Sequence, residues 1–179
     1  SMVSIEASRV IVCCGAWSAG LLAELGVTVS VHPVKGEMLL YKFPEPPLDC
    51  IVLTKGRYLI PRADGHLLAG STLEYAEFDK SISANARQSL SRSAVEMLPA
   101  LKDMEPVQQW AGLRPGSGDG IPFIGRVAPW DNLYLNAGQF RNGLVLAPAS
   151  ARLLTDLLLG RPPITDPAPY APDRPVTGD

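Results

Sequence analysis

The sequence has few of the residues on which metal sites and covalently cross-linked folds depend. Only three cysteines and two histidines occur among its 179 residues. The cysteines, of which Cys13 and Cys14 are adjacent, are too few and too badly spaced for a disulfide framework or a zinc site. We therefore predict no metal. We expect Cys13 and Cys14 to be buried, reduced thiols at the end of a strand, which fits a cytoplasmic protein.

Long apolar runs and strong charge are also missing. No stretch reaches the roughly 18 apolar residues of a membrane span, and no secretory signal is visible at the start. The formal net charge is −2, with 19% charged and 46% hydrophobic residues. This balance predicts no nucleic-acid partner and is typical of a soluble folded protein with one domain or two small ones.

Candidate general bases are scarce. His32 precedes a proline in a predicted strand, and His66 follows a hairpin glycine. Neither has the partners of a Ser-His-Asp triad or an H-E-x-x-H motif, so we interpret both as uninvolved in catalysis. A reaction that removes a proton from carbon needs a positioned base, and neither histidine is a candidate for that role.

The two ends of the chain have an α/β pattern. The apolar run Arg9–Cys14, closed by Gly15, predicts a parallel strand covered on both faces, and a helix follows that stops at Gly26. A second buried strand is predicted over Leu133–Gly138, followed by a strong helix. We expect Pro148 in the first turn of that helix. Its buried face is predicted from helical spacing to hold Ala147, Ala151, Leu154 and Leu158.

The middle of the chain predicts antiparallel sheet. A strand over Thr28–Phe43 precedes three short ones, with turns at Lys55-Gly56 and at Ala63–Gly65. A helix capped by Ser83 follows, and "PVQQWAGLRP" then returns to strand. The fold class is therefore mixed α+β and α/β, in which an α/β unit is interrupted by an antiparallel domain.

Five segments in order carry a family resemblance. They are "VIVCCGAWSAGL", "HPVKGEML", "YLIPRADGHLLAGST", "WAGLRPGSGDGIPFIGR" and "AGQFRNGLVLAPASA". Together they resemble the D-amino acid oxidase family of FAD-dependent amine oxidases, most closely the glycine oxidases of thiamine thiazole synthesis. The G-x-G-x-x-G turn with which that family cradles the FAD pyrophosphate has no counterpart here. "PGSGDG" (115–120) opens no helix, and the chain resembles the C-terminal half of such an oxidase.

The resemblance implies a domain plan. Residues 9–27 and 131–161 would form the C-terminal part of a Rossmann-like FAD-binding domain. Residues 28–130 would form a substrate-binding domain of antiparallel sheet, and 162–179 an extended tail. Whether the chain binds FAD by itself stays open.

Three residues would contact the substrate according to the resemblance. Arg114, in "WAGLRP", would grip the substrate carboxylate, which a planar guanidinium does with two parallel hydrogen bonds. Tyr58, in "RYLIPR", would meet the same carboxylate through its hydroxyl. Arg141, in "FRNG", would lie in the loop that faces the flavin ring and the substrate.

The flavin contacts and the pocket lining are implied in the same way. A helix start at Gly143-Leu144 presents unpaired N–H groups and partial positive charge, which would stabilise the reduced flavin. Leu73 and Gln139 would line the substrate pocket. The residues that would approach the cofactor are Gly15, Trp17, Arg141, Asn142, Gly143, Leu144 and Val145.

The resemblance implies oxidation of glycine or a related small amine by hydride transfer to flavin N5. The products would be an imine and hydrogen peroxide, with molecular oxygen as acceptor and a homo-oligomeric enzyme. Sarcosine or D-amino acid oxidation, or a dehydrogenase of the same family, stays open as an alternative. A third alternative is a cofactor-free domain without catalysis of its own.

Overall fold

A computed structural model describes residues 4–176. Its strands and helices follow the order β1-α1-β2-β3-β4-β5-α2-β6-β7-β8-α3. The strands are β1 Val10–Val12, β2 Val31–Lys42, β3 Val52–Thr54, β4 Arg57–Pro61, β5 His66–Gly70, β6 Gln108–Ser117, β7 Phe123–Arg126 and β8 Leu133–Ala137. The helices are α1 Ser18–Ala23, α2 Ala84–Met97 and α3 Gly143–Leu158, with 3-10 turns at Gly15–Trp17, Pro99–Leu101, Phe140–Asn142 and Ala168–Tyr170.

The chain separates into two compact units. The continuous unit is Val34–Leu113, and the discontinuous unit combines the residues up to Pro33 with those from Arg114 onward. Each unit has its own hydrophobic core. The mixed α+β and α/β fold class is confirmed. The predicted functional domains, 9–27 with 131–161, 28–130 and 162–179, remain a prediction, and residues 177–179 lie outside the described part.

The discontinuous unit contains a three-stranded sheet in the order β1-β8-β7. β1 runs parallel to β8, with Val12 opposite Leu135, and β7 runs antiparallel to β8, with Phe123 opposite Ala137. The predicted parallel arrangement of the first strand is therefore confirmed. The prediction that both faces of this strand are covered is wrong for the described residues. Val10 and Ile11 are exposed, and only Val12 of β1 is buried.

The predicted buried face of α3 is confirmed in its second half and wrong in its first half. Leu154 is buried and Leu158 is partly buried against the same core, whereas Ala147 and Ala151 are exposed. Pro148 lies inside the helix rather than in its first turn. Proline there removes one N–H donor to the preceding turn, a loss that a helix with one well-packed face can offset.

The continuous unit is an antiparallel sheet with α2 against it. The five-stranded order is β3-β4-β5-β2-β6. The β3–β4 turn has positive φ at both Lys55 (47°) and Gly56 (76°), as a two-residue hairpin of this twist requires. Gly65 (φ 82°) closes the β4–β5 hairpin, where a β-carbon would collide with the carbonyl oxygen of Phe43. Both predicted turns are confirmed.

Helix α2 begins where the sequence predicts. The Ser83 hydroxyl accepts a hydrogen bond from the Ala86 N–H at 3.1 Å, which satisfies one of the free donors of the first turn. Ala86, Leu90 and Ala94 are buried on one face of the helix, and Leu90 and Ala94 belong to the core of the sheet. Within residues 4–176, no helix is long and apolar enough to cross a membrane.

Candidate active site

The carboxyl ends of β1 and β8 lie side by side. Because the two strands are parallel neighbours, the segments that follow them emerge at the same edge of the sheet. The segment after β1 carries Gly15 and Trp17, and the segment after β8 carries Gln139 and Arg141. The fold thus brings two of the predicted cofactor segments, which are far apart in sequence, to one edge. In open α/β sheets this is the edge at which ligands bind.

Helix α3 begins at this edge with an open first turn. Within the described chain, its cap residue Asn142 makes no side-chain capping bond. Arg141 and Asn142 are exposed, and the apolar side chains of Leu144 and Val145 are 92% and 81% exposed. Free N–H groups and partial positive charge at a helix start attract electron-rich ligand atoms. Exposed aliphatic side chains beside them suit a ligand with an extended apolar surface.

Glycine is required where the chain leaves β8. Gly138 has φ 86°, and a β-carbon there would lie 3.2 Å from Cδ2 of the Phe123 ring. The Ser117 hydroxyl donates to the Gly138 carbonyl at 3.4 Å. The loop into α3 is therefore packed against the start of β7 and tied to the end of β6.

Arg114 lies on the part of β6 that belongs to the discontinuous unit. Its side chain is half-buried. It precedes Ser117 by three residues, roughly 10 Å along an extended strand. β6 is an edge strand of its sheet, the position at which a Pro115-Gly116 pair is tolerated in a strand.

Other residues of this edge have local roles. Gln139 donates a hydrogen bond from Nε2 to Oδ1 of Asn136. Trp17 is 50% exposed.

Cys13 and Cys14 are exposed, so their predicted burial is wrong. Partial burial raises the pKa of the Cys13 thiol, and the neighbouring Cys14 raises it further.

Tyr58 and Leu73 lie in the continuous unit. The half-buried Tyr58 on β4 is opposite Gly70 on β5, and its hydroxyl donates to the Met38 sulfur at 3.9 Å. Leu73 follows β5 and is 46% exposed. Its neighbour Thr72 accepts a hydrogen bond from the Glu37 N–H at 2.8 Å, which holds the segment against β2.

A buried ionic network beneath Thr72 was not predicted from the sequence. Glu37 is fully buried and accepts hydrogen bonds from the backbone N–H and hydroxyl of Ser83, both at 3.1 Å, and from Gln109 Nε2 at 2.7 Å. The ammonium of the buried Lys35 lies 3.7 Å from the same carboxylate. The available signal was the pair of opposite charges in "VKGEM", inside an otherwise apolar strand.

A second unpredicted ion pair anchors the C-terminal tail. Arg174 contacts both carboxylate oxygens of Asp119, donates to the Ile121 carbonyl at 2.7 Å and lies 3.8 Å above the Phe123 ring. Burial by itself would raise the pKa of Asp119. The hydrogen bonds from Arg174 and from the Ile121 N–H outweigh it, so the pKa is lowered overall. Within residues 4–176, no cluster of acidic, histidine or cysteine side chains could hold a metal ion.

Sequence comparison gives the family. Residues 2–157 match the family described as "DAO: FAD dependent oxidoreductase". Among curated relatives, a glycine oxidase of Pseudomonas aeruginosa is 59% identical over 94% of this chain and 46% of its own length. A bifunctional protein ThiO/ThiG of Synechocystis sp. is 37% identical (87% and 24%), and a D-amino acid dehydrogenase of Chromohalobacter salexigens is 32% identical (92% and 40%).

Solved structures agree with this result. A glycine oxidase of Geobacillus kaustophilus superposes with a TM-score of 0.88 at 34% identity, over 94% of this chain and 46% of that one. An iminodiacetate oxidase of Chelativorans sp. gives 0.89 at 28% identity, over 94% and 47%. The chain therefore belongs to the DAO family of FAD-dependent oxidoreductases. It spans about half the length of the curated relatives it matches.

Proposed function

We propose that this chain is part of an FAD-dependent oxidase of glycine or a closely related small amine. The observation that carries the proposal is the meeting of the Gly15 and Arg141 segments at the carboxyl edge of the parallel pair, beside an open helix start. The similarity to glycine oxidases supports the choice of substrate. As the family resemblance implies, the product would serve in making the thiazole of thiamine, and the similarity to a ThiO/ThiG protein supports this role. A cytoplasmic location is part of the same proposal.

The residues of this chain fit the isoalloxazine end of FAD. The start of α3 would offer N–H donors to the pyrimidine carbonyl, and the exposed Leu144 and Val145 would offer apolar surface. Next to Gly15, the space a β-carbon would occupy has no atom within 4 Å, so backbone and ligand can approach closely. The G-x-G-x-x-G turn with which the family cradles the FAD pyrophosphate has no counterpart in this sequence.

The chain's own groups would bind and orient the substrate. Arg114 would hold the carboxylate with two parallel hydrogen bonds, which fixes the direction of the α-carbon. Tyr58 would add a hydroxyl donor, and Leu73 and Gln139 would limit the size of the side chain accepted. FAD, when bound, would supply a hydride acceptor at N5, and its reoxidation by oxygen would give hydrogen peroxide. The substrate would be held with a neutral amine, whose nitrogen lone pair would form the protonated imine as the hydride leaves; this would release its proton to give the imine, so no base would be required at carbon.

The test is oxidation by the full-length gene product. Purified protein should be yellow, and it should consume oxygen with glycine and form peroxide in equal amount. Glycine, sarcosine and D-alanine, compared in parallel, rank the substrates. A colourless protein that takes up no added FAD would refute the proposal. It would favour the alternative of a cofactor-free domain without catalysis of its own. Light scattering would test the homo-oligomer that we also propose.

A second candidate in the same class is a dehydrogenase. The 32% identity to a D-amino acid dehydrogenase favours it as the alternative. It predicts reduction of an artificial quinone with D-alanine at a rate well above oxygen consumption, whereas the oxidase predicts the reverse.

A further inference from the structure

Three neighbouring strands of the continuous unit place Met38, Gly70 and Tyr58 in one row. Met38 on β2 is opposite Gly70 on β5, and Gly70 is opposite Tyr58 on β4. Directly opposite residues of an antiparallel sheet project from the same face. The two outer strands of such a row are about 10 Å apart. The central residue of this row has no side chain.

The Tyr58 ring fills the space above Gly70. A β-carbon at Gly70 would lie 2.7 Å from Cε2, Cζ and the hydroxyl oxygen of Tyr58. The ring therefore lies across β5, and its hydroxyl reaches the Met38 sulfur on the far side at 3.9 Å. A thioether is a weak acceptor. The hydroxyl is thus held in place while its donor is still available to a stronger acceptor such as a carboxylate.

We propose that Gly70 is a positioning residue whose missing side chain sets the location of the Tyr58 hydroxyl. The inference rests on the proposed function, in which Tyr58 donates to the substrate carboxylate. Any β-carbon at position 70 forces the ring off β5. The atoms that would be struck lie at the far end of the Tyr58 side chain rather than in the backbone, so the ring can turn away and the sheet can form. The expected consequence is a misplaced hydroxyl in a folded protein.

The variant Gly70→Ala tests this in the FAD-loaded full-length protein, with Gly112→Ala as matched control. Gly112 lies on β6 of the same sheet, and no atom lies within 4 Å of the position its β-carbon would take. In protein labelled with 3-fluorotyrosine, the Tyr58 resonance is assigned by its loss in Tyr58→Phe. We expect that ¹⁹F resonance to move in Gly70→Ala and to keep its place in Gly112→Ala. An unmoved resonance in Gly70→Ala would overturn the inference.

Kinetics distinguish positioning from general damage. We expect Gly70→Ala and Tyr58→Phe each to raise the KM for glycine about tenfold, with a smaller change in kcat. If Gly70 acts through the Tyr58 hydroxyl, the double variant should match Tyr58→Phe alone. A further tenfold loss in the double variant would overturn the inference. Unchanged KM in Tyr58→Phe would instead refute the substrate role of Tyr58, while a moved resonance would still support its positioning by Gly70.

Discussion

Arg174 and Asp119 join the C-terminal tail to the loop between β6 and β7 by an ion pair with both side chains largely buried. The same guanidinium covers the Phe123 ring and binds the Ile121 carbonyl. Phe123 in turn packs beside Gly138, where the chain turns toward α3. A tail residue therefore supports the loop that the proposed function assigns to flavin binding.

Arg174→Met should destabilise the protein, because the Asp119 carboxylate would remain buried without its cation. Removing one partner of a buried pair costs about 3 kcal/mol. The free energy of unfolding in urea, measured on the full-length protein, would show the loss. Arg161→Met is the control, since Arg161 is an exposed arginine just before the tail. Equal effects of the two substitutions would contradict the anchoring role.

The same pair predicts a pH dependence in the acid range. The pKa of Asp119 is lowered in the folded state from its ordinary value of 3.8, so the unfolded chain takes up a proton first as the pH falls. The stabilisation is therefore complete above pH 3.8 and is lost as the pH falls through the lower, folded pKa. Arg174→Met should flatten this part of the stability profile. Parallel profiles for variant and wild type would argue against the pair as its source.

Glu37→Gln should also destabilise the protein, although the two side chains have nearly the same shape. The Glu37 carboxylate faces donors from Ser83 and Gln109, and an amide would turn its own donor toward one of them. Lys35 would keep only the more exposed Glu74 and Asp79 as partners, at 3.8 and 3.7 Å. We expect a loss of about 3 kcal/mol. Urea unfolding measures it, and Glu105→Gln, at an exposed carboxylate, is the control. A loss below about 1 kcal/mol, the size of an ordinary hydrogen bond, would show that the network carries little stability.

Gly138→Ala should disturb the loop into α3 by two effects that a control can separate. Gly138 and Gly160 both have positive φ, 86° and 62°, but only Gly138 has a side chain within 4 Å of the added methyl. Backbone strain alone should cost about 1–2 kcal/mol at either site. Gly138→Ala should lose more stability than Gly160→Ala and should bind FAD more weakly, measured by flavin fluorescence on titration. Equal FAD affinity in the two variants would remove the loop from the proposed site.

The sequence predicted correctly those structural elements that depend on residues close together in the chain. The Ser83 cap, the Lys55-Gly56 turn and the strand before Gly15 each depend on neighbouring residues, and each forms where expected. Strand β7 was not predicted, because "FIGR" is too short to show a period and is a strand only through pairing with β8. The exposure of Cys13 could not be inferred either, since burial depends on which surfaces later segments cover.

Sequence reasoning found the motif residues of the candidate site but not the features that depend on distant partners. Arg114, Tyr58 and Arg141 were selected because their motifs resemble a family, and their roles remain predictions. The meeting of the β1 and β8 ends follows from pairing that no single segment encodes. Glu37 and Arg174 were missed because a charge buried against a distant partner looks, in sequence, like any surface charge.

Arg114 carries the most direct test of substrate binding. Arg114→Leu would remove the two hydrogen bonds to the carboxylate that the proposed function assigns to Arg114, and losing one side of a buried charge pair should lower kcat/KM for glycine roughly 100- to 1,000-fold. Arg114→Lys keeps the charge but not the planar pair of donors, so it should recover only part of that loss. Arg126→Leu, which removes an exposed arginine on β7, is the control for charge. Steady-state oxygen uptake together with acetate inhibition separates binding from chemistry, since acetate presents a carboxylate without an amine. If Arg114→Leu bound acetate as tightly as wild type, the carboxylate would have to be held by another residue, and the site would need to be reassigned.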